Sequence, residues 1–162
     1  MEKGGKESSL GNEFRRLYER IRVHLAPAAN GSTPAQAAEP KPGDRMPDGT
    51  IFAGISPDTG KPMYTTPADA PLTMRWKEAM KYAANLEAYG HQDWRVPSKA
   101  ELNTLFNNRA AIGGFNATGS DPAGWYWSST EGNNGCGWAQ RFNDGNHGWD
   151  DKNFDSSLRC VR

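Results

Sequence analysis

Apolar residues near the start of the chain recur at intervals of three and four. This spacing places them on one side of a helix whose other sides carry arginine and glutamate. The apolar stripe consists of Leu10, Phe14, Leu17, Tyr18, Ile21 and Leu25. Residues 1–25 are therefore predicted to form an amphipathic helix. Because an isolated helix of this length is marginal in water, it would dock on its own domain or pair with further copies of the chain or a partner.

The next segment has no such periodicity. APAANGSTPAQAAEPKPGD is rich in proline, alanine and small polar residues, a composition that is typical of a linker. Residues 26–44 are predicted to be this linker, and residues 45–162 are predicted to form a domain.

The domain begins with short β-prone runs. TIFAGIS and PMYTT flank PDTGK, in which Pro57, Asp58 and Gly60 favour a tight turn, so a β-hairpin is expected. An amphipathic helix follows, with Thr73 as its predicted cap and Gly90 where it would end. Its apolar stripe is Trp76, Ala79, Met80, Ala83 and Leu86.

A second helix is predicted to begin near Lys99. Ser98 and Glu101 have the spacing of a capping box, in which each side chain bonds the other residue's backbone amide. Pro97 keeps the preceding residue extended. The residues that this helix would bury are Leu102, Leu105 and Phe106.

Three further candidate strands follow a glycine-rich loop. They are GWYWSST, GWAQRF and SLRCVR. Residues 143–145, NDG, lie between the last two and favour a type I′ hairpin turn, since Asp-Gly tolerates positive φ. The predicted fold class is α+β, with two helices and short antiparallel strands.

Residues 132–151, GNNGCGWAQRFNDGNHGWDD, mix turn-forming residues with large aromatics. Turn formers usually mark exposed chain, whereas aromatics usually mark a core. Trp127, Trp138 and Phe142 are predicted to be buried scaffold, and Ala139 and Arg141 are predicted to share the opposite strand face from Trp138. Antibody combining sites have a comparable mixture of aromatic and small polar residues.

The expected contact surface lies within residues 132–157. Its predicted ligand-binding residues are Asn133, Asn134, Ala139, Arg141, Asp144, Asn146, His147, Trp149, Asp150, Asp151, Asn153, Phe154 and Asp155.

The amino-acid composition narrows the possible partners and the expected location of the protein. The 162 residues contain 19 basic and 19 acidic side chains, so no overall field favours nucleic acid or an anionic membrane as a partner. The charged start lacks the apolar core of a signal peptide, which leads us to expect a cytoplasmic protein. The two cysteines, Cys136 and Cys160, are too few for a disulfide framework and are expected to be free thiols.

The motifs DWRVPSKAEL, WYWSSTE, GWAQRF, NDG and LRCVR occur in this order. Together they resemble the DUF1566 family, also described as the C-terminal domain of Legionella collagen-like proteins. The resemblance covers roughly residues 43–162 and implies a C-type-lectin-like fold related to formylglycine-generating enzymes. Some members are variable proteins of diversity-generating retroelements, whose variable stretch lies between WSSTE and RCVR. The resemblance therefore implies a non-catalytic module that binds a protein or other macromolecule, virion-associated if it is phage-encoded.

Other functions have weaker support. An oligomeric structural component of a phage or cell surface, assembled through the N-terminal helix, is the main alternative. An enzyme similar to formylglycine-generating enzymes would need two cysteines close together, and Cys136 and Cys160 are far apart in sequence. Residues 149–151, WDD, are similar to calcium ligands of sugar-binding lectins, but the partner motif with a proline between two oxygen-bearing side chains is absent. No cofactor, metal or catalytic residue is predicted.

Overall fold

The computed structural model describes residues 38–132 and 135–162 of the chain. Glu39–Arg162 form one compact unit. The helix predicted over residues 1–25 and most of the predicted linker lie outside the described residues. The last part of that linker belongs to the folded unit, because the Gly43 amide donates to the Phe52 carbonyl at 2.9 Å.

The first predicted hairpin is present. Strand β1 (Ile51–Ile55) pairs antiparallel with β2 (Pro62–Thr65), and Ile51 lies opposite Thr65. Gly60 closes the turn with a φ of 68° and donates to the Ser56 carbonyl at 2.9 Å. The local turn signals therefore identified this element correctly.

Helix α1 (Trp76–Ala84) begins two residues later than its predicted cap would allow. The capping residue is Arg75, whose amide donates to the Glu78 carboxylate at 3.2 Å. Thr73 cannot cap the helix because the following residue, Met74, is extended and pairs with Ser156. A tertiary backbone pairing thus overrides a local capping preference.

Helix α2 (Lys99–Asn107) has the predicted capping box. Ser98 Oγ accepts a hydrogen bond from the Glu101 amide at 3.2 Å, and Glu101 Oε2 accepts one from the Ser98 amide at 3.0 Å. Leu102 and Leu105 are fully buried and Phe106 is half-buried. A short helix that was not predicted, α3 (Arg109–Ile112), follows directly.

The second sheet has the strand order β3–β4–β5 and is antiparallel. Its strands are β3 (Trp125–Glu131), β4 (Cys136–Arg141) and β5 (His147–Asp151). The prediction that SLRCVR supplies the third strand is wrong. That segment is buried and makes isolated bridges to three other segments through Ser157 and Val161, whereas HGWDD pairs with β4.

The β4–β5 turn forms at the predicted place with a different geometry. A type I′ turn requires positive φ at two successive residues, but only Gly145 has it, at 79°. The Gly145 amide donates to the Arg141 carbonyl at 2.9 Å. The connection is therefore a longer loop, which the Asp144 carboxylate closes by accepting from the Asn146 amide at 3.0 Å.

The two longer helices cover opposite faces of the second sheet. Successive residues of a strand point to opposite faces, and Tyr126 packs in a core with Leu102 and Leu105 of α2, whereas Trp127 packs in another core with Trp76 of α1. The sheet is thus buried on both faces at β3 and β4, and β5 is left as its edge strand. The α+β class that the sequence predicts is confirmed.

None of the helices in the described part of the chain has the length and apolar character that crossing a bilayer requires.

Candidate functional site

An aromatic cluster lies on the edge of the second sheet. Trp138 of β4 is directly opposite Trp149 of β5, and their rings meet edge to face at a centroid distance of 5.0 Å. His147 tilts against Trp138 at 5.1 Å. Trp149 remains 52 % exposed. These three residues, Trp138, His147 and Trp149, are called the aromatic cluster below.

Burial separates this cluster from the scaffold. Trp127 and Phe142 are fully buried, as predicted. The prediction for Trp138 is wrong, because its ring is only half-buried. Its ring lies against Trp149 and the ammonium group of Lys99, the first residue of α2, and belongs to neither core cluster.

Ala139 does not belong to the contact surface. The sequence prediction assumed that one face of β4 points to solvent, but α1 covers the face on which Ala139 lies, and the residue is fully buried with Trp127. A strand that is buried on both faces has no outward side.

The structure brings most of the predicted contact residues together on one hairpin, residues 135–155. Asn133 and Asn134 lie outside the described residues. Of the remaining predicted residues, those that are exposed or half-buried are Arg141, Asp144, Asn146, His147, Trp149, Asp150, Asp151, Asn153, Phe154 and Asp155.

Many of these polar side chains bond the backbone of their own hairpin. Asn146 Oδ1 accepts from the His147 amide at 3.1 Å, and Asp150 Oδ1 accepts from the Asp151 amide at 2.9 Å. Asp151 Oδ1 in turn accepts from the amide and the side chain of Asn153, both at 2.9 Å. Bonds of this kind are typical of aspartate and asparagine in turns. These residues therefore help to shape the hairpin as well as coat it.

The alternation of ladder bonds explains why the bonds of Asn146 and Asp150 lie where they do. The Arg141 amide donates to Asn146 and the Lys152 amide donates to Gly135, so alternate β5 residues between them bond β4 and the others face the free edge. The residues whose backbone amide and carbonyl groups face the free edge are His147, Trp149 and Asp151. Local side chains thus occupy two of the three edge amides, which reduces the tendency of an edge strand to pair with another chain.

Two aromatic residues of the hairpin are the most exposed to solvent. Trp149 is half exposed, and Phe154, in the turn after β5, is 61 % exposed. Large exposed aromatic groups on a rigid support are common in recognition surfaces.

Two glycines let tryptophan rings lie directly on the backbone. A Cβ at Gly132 would be 2.7 Å from Cε3 of Trp149, and a Cβ at Gly137 would be 2.6 Å from Cδ1 of Trp76. Sequence reasoning did not assign these roles. For Gly137 the available signal was a glycine inside a strand, which often marks a close backbone approach.

Three cations lie over tryptophan rings around the hairpin. Lys152 Nζ is 4.4 Å from the Trp76 ring, Arg141 is 5.4 Å from the Trp125 ring, and Lys99 Nζ is 5.4 Å from the Trp138 ring. The three cations differ in whether a carboxylate of the domain pairs with them.

Two of these cations are already neutralised by ion pairs. Lys152 pairs with Glu131, and Arg141 pairs with Asp144. Lys99 forms no ion pair within the described residues. The sequence prediction did not include Lys99 in the surface because this residue comes from a helix far from the hairpin in sequence.

Motif residues upstream of the β4–β5 hairpin hold a buried carboxylate, that of Glu101. Glu101 is 1 % exposed and accepts hydrogen bonds from Ser56 at 2.6 Å and from Arg95 at 2.7 Å. Burial alone would raise the pKa of Glu101, but the hydrogen bonds from Arg95, Ser56 and the Ser98 amide outweigh it and lower the pKa to about 2. This network joins α2 to the first hairpin.

The arginine of the terminal motif has a similar role. Arg159 is fully buried and its Nε donates to Asp69 at 2.7 Å. Tyr126 donates its hydroxyl to the same carboxylate at 2.6 Å. Burial and the adjacent Asp69 charge raise the pKa of Tyr126. Each charged group of the network has a partner, and the network anchors the terminal segment.

The two cysteines are free thiols in different surroundings. Cys160 is buried, and desolvation raises its pKa to about 12. Cys136 is half-buried at the start of β4. Within residues 38–132 and 135–162, no group of three or more histidine, cysteine or acidic side chains is arranged to hold a metal ion.

Comparison with known proteins identifies the family. Residues 56–162 match the family model described as the Lcl C-terminal domain. Because this match spans more than half of the chain, the protein belongs to the Lcl C-terminal domain family. The membership predicted from the WRVP, WSSTE and RCVR motifs is confirmed, and two of their residues, Arg95 and Arg159, hold the ion pairs described above. No curated protein matches the chain.

Proposed function

We propose that this domain is a non-catalytic binding module that recognises a protein or other macromolecule through the β4–β5 hairpin. The observation that carries this proposal is the placement of Trp149. Half of its surface is exposed, while its ring contacts Trp138 and rests on Gly132. An aromatic group that is held rigidly yet exposed offers contact area at low entropy cost.

The scaffold beneath the hairpin supports this division of roles. Trp127, Ala139 and Phe142 are fully buried, so core packing holds the strands beneath the exposed aromatic side chains. Recognition residues can then change while the backbone stays in place, which is how loops on a rigid framework usually carry function.

We further propose that the chain is a variable protein of a diversity-generating retroelement with a C-type-lectin-like fold. The position of the asparagine- and glycine-rich stretch between the WSSTE and RCVR motifs supports this assignment, as does the concentration of exposed side chains in it. Sequencing the DNA downstream of the gene tests the assignment directly. We expect a near-copy of the segment that encodes the hairpin, differing mainly at adenines, beside a reverse transcriptase gene. An intact neighbourhood with neither element would refute it.

Two libraries test the binding proposal. The first randomises His147, Trp149 and Phe154 on the surface, and the matched control library randomises Ala139 and Phe142 in the core. We expect most clones of the first library to stay folded and to melt within several degrees of the parent, because changes at His147 and Phe154 should alter stability by no more than about 0.5 kcal/mol and loss of the Trp149 ring should cost about 1 kcal/mol. We expect most clones of the second library to unfold.

Binding is then measured by selecting both libraries against a panel of immobilised proteins. Enrichment of folded clones from the surface library, with affinities that differ among clones, would support the proposal. Widespread unfolding of the surface library, or folded clones that never bind any target, would contradict it.

A further inference from the structure

We propose that the ligand of the hairpin carries a cationic group, the side chain of a lysine or arginine in a protein partner, which lies against Trp149 and beside Asp150 and Asp151. This inference rests on the proposed binding function and adds the chemical class of the ligand. The exposed aromatic cluster lies beside aspartate carboxylates whose charge is complementary to that of a cation.

The hairpin region is acidic although the whole chain is neutral. The residues from 131 to 155 contain five acidic side chains, Glu131, Asp144, Asp150, Asp151 and Asp155, and two basic ones, Arg141 and Lys152, which gives a net charge of −3 with histidine neutral. Lys99 over Trp138 and Lys77 near Glu131 reduce this excess. Neither lysine pairs with Asp150 or Asp151, so the surface beside Trp149 favours a basic partner over an acidic one.

Ion pairing concentrates this excess next to Trp149. Arg141 is held by Asp144, and Lys152 is held by Glu131, so neither base neutralises Asp150 or Asp151. Within the described residues these two aspartates form no ion pair. Each uses Oδ1 for a backbone amide of the hairpin, which leaves Oδ2 for an external donor.

Strand geometry places one carboxylate on each side of the sheet edge. Asp151 follows Trp149 by two residues and therefore shares its face, about 7 Å further along the strand. Asp150 lies on the other face. A flexible cationic side chain that crosses the edge over the Trp149 ring can reach either carboxylate.

The indole of Trp149 is suited to such a cation. Three other tryptophans of this region, Trp76, Trp125 and Trp138, have a lysine or arginine of the domain over the ring. No cation of the described residues lies over Trp149, the most exposed of the four rings. Cations over an indole ring are stabilised by its quadrupole even at exposed sites.

An anionic ligand fits the same surface less well. Lys99 is the unpaired base that lies on the aromatic cluster, and it lies over Trp138 rather than Trp149. A carboxylate that approached Lys99 would also approach Asp151, which shares that face of the sheet. Two peptides of opposite charge therefore discriminate between the two classes of ligand.

The experiment uses the full chain with capped tetralysine and tetraglutamate peptides as probes. Binding is followed by NMR through the indole N–H resonance of Trp149, at low ionic strength and again in 0.5 M salt, where screening is strong. We expect tetralysine to shift this resonance with a saturable dependence that salt abolishes, and tetraglutamate to leave it unchanged.

Charge-matched variants locate the contact. Asp150→Asn with Asp151→Asn keeps both Oδ1 acceptors and should weaken tetralysine binding roughly three- to tenfold. The control, Glu39→Gln with Glu87→Gln, removes the same charge from exposed residues outside the hairpin and should leave binding unchanged. Trp149→Leu lacks the indole reporter and is followed through the backbone amide resonances of the hairpin; it should weaken binding while the domain stays folded.

Equal weakening by both double variants, a stronger response to tetraglutamate, or no response of the indole would overturn the inference. These outcomes are distinct from failure of the proposed function. If the surface library still yields folded binders while tetralysine does not bind, only the cationic class of ligand is wrong. If neither library nor peptide gives binding, the proposed function fails as well.

Discussion

Truncating Phe142 and Trp149 separately should give very different losses of stability. Phe142 is fully buried, and its ring contacts Tyr126 at 4.3 Å, Phe115 at 4.8 Å and Phe106 at 5.7 Å between centroids. Phe142→Ala removes these contacts and leaves a cavity, which typically costs about 3–5 kcal/mol. Since a domain of this size is stable by about 5–15 kcal/mol, this single change would remove a large fraction of the total.

Trp149 should be far more tolerant. Its ring makes one edge-to-face contact with Trp138 and remains half in water. An aromatic pair of this kind contributes about 0.5–1.5 kcal/mol beyond area burial. We expect Trp149→Ala to cost about 1 kcal/mol, and Phe154→Ala, at a still more exposed residue, to stay within about 0.5 kcal/mol of the parent.

Urea unfolding followed by circular dichroism measures these differences. The midpoint should fall strongly for Phe142→Ala and slightly for Trp149→Ala, while the slope m stays the same, because the folded domain buries a similar surface in each variant. A loss for Trp149→Ala as large as that for Phe142→Ala would show that the hairpin surface is part of the core. The distinction between scaffold and recognition residues would then be untenable.

Three further predictions concern acid stability, strand packing and thiols. The pKa of Glu101 is lowered to about 2 from an ordinary 4.5, so the stability that its ionised carboxylate contributes is full above pH 4.5 and is lost as pH falls towards 2. Thermal melts across this range should show that loss. Glu101→Gln should flatten the pH dependence of stability while lowering stability at pH 7. Gly137→Ala would place a Cβ 2.6 Å from the buried indole of Trp76 in α1 and should lower the free energy of unfolding in urea by about 1–3 kcal/mol. Gly148→Ala is the control and should be tolerated, because no atom lies within 4 Å of its Cβ. Equal losses for the two variants would contradict the packing of Trp76 on Gly137. Thiol titration should detect only Cys136 readily in the native protein, because burial raises the pKa of Cys160 to about 12. After denaturation both Cys136 and Cys160 should react. Finding no free thiol in the denatured chain would show that the two cysteines form a disulfide.

Local signals in the sequence determined several elements correctly. The Ser98 and Glu101 capping box, the turn at Gly60 and the start of α2 depend on residues only a few positions apart. Their energies come from bonds within one turn of chain, so they can be read without knowing the rest of the fold. The family could also be recognised from the sequence, because each motif is a short continuous stretch and the motifs occur in a fixed order.

Pairings between distant segments could not be read in this way. SLRCVR has the composition of a strand, yet its residues bridge to segments near Thr65, Arg95 and Tyr126 instead of forming a ladder. HGWDD has weak strand character by composition but pairs with β4 along its whole length. Strand preference depends on what packs against each face more than on the residues themselves.

The contact surface shows the same division. The sequence indicated that residues 132–157 present polar and aromatic side chains, and most of the predicted contact residues that the structure describes are exposed. Only the tertiary structure showed that helices cover both faces of β4, which buries Ala139 and leaves Trp138 at the margin. It also brought Lys99 onto Trp138. An alternating pattern tells which residues share a face, but whether that face meets water depends on elements far away in sequence.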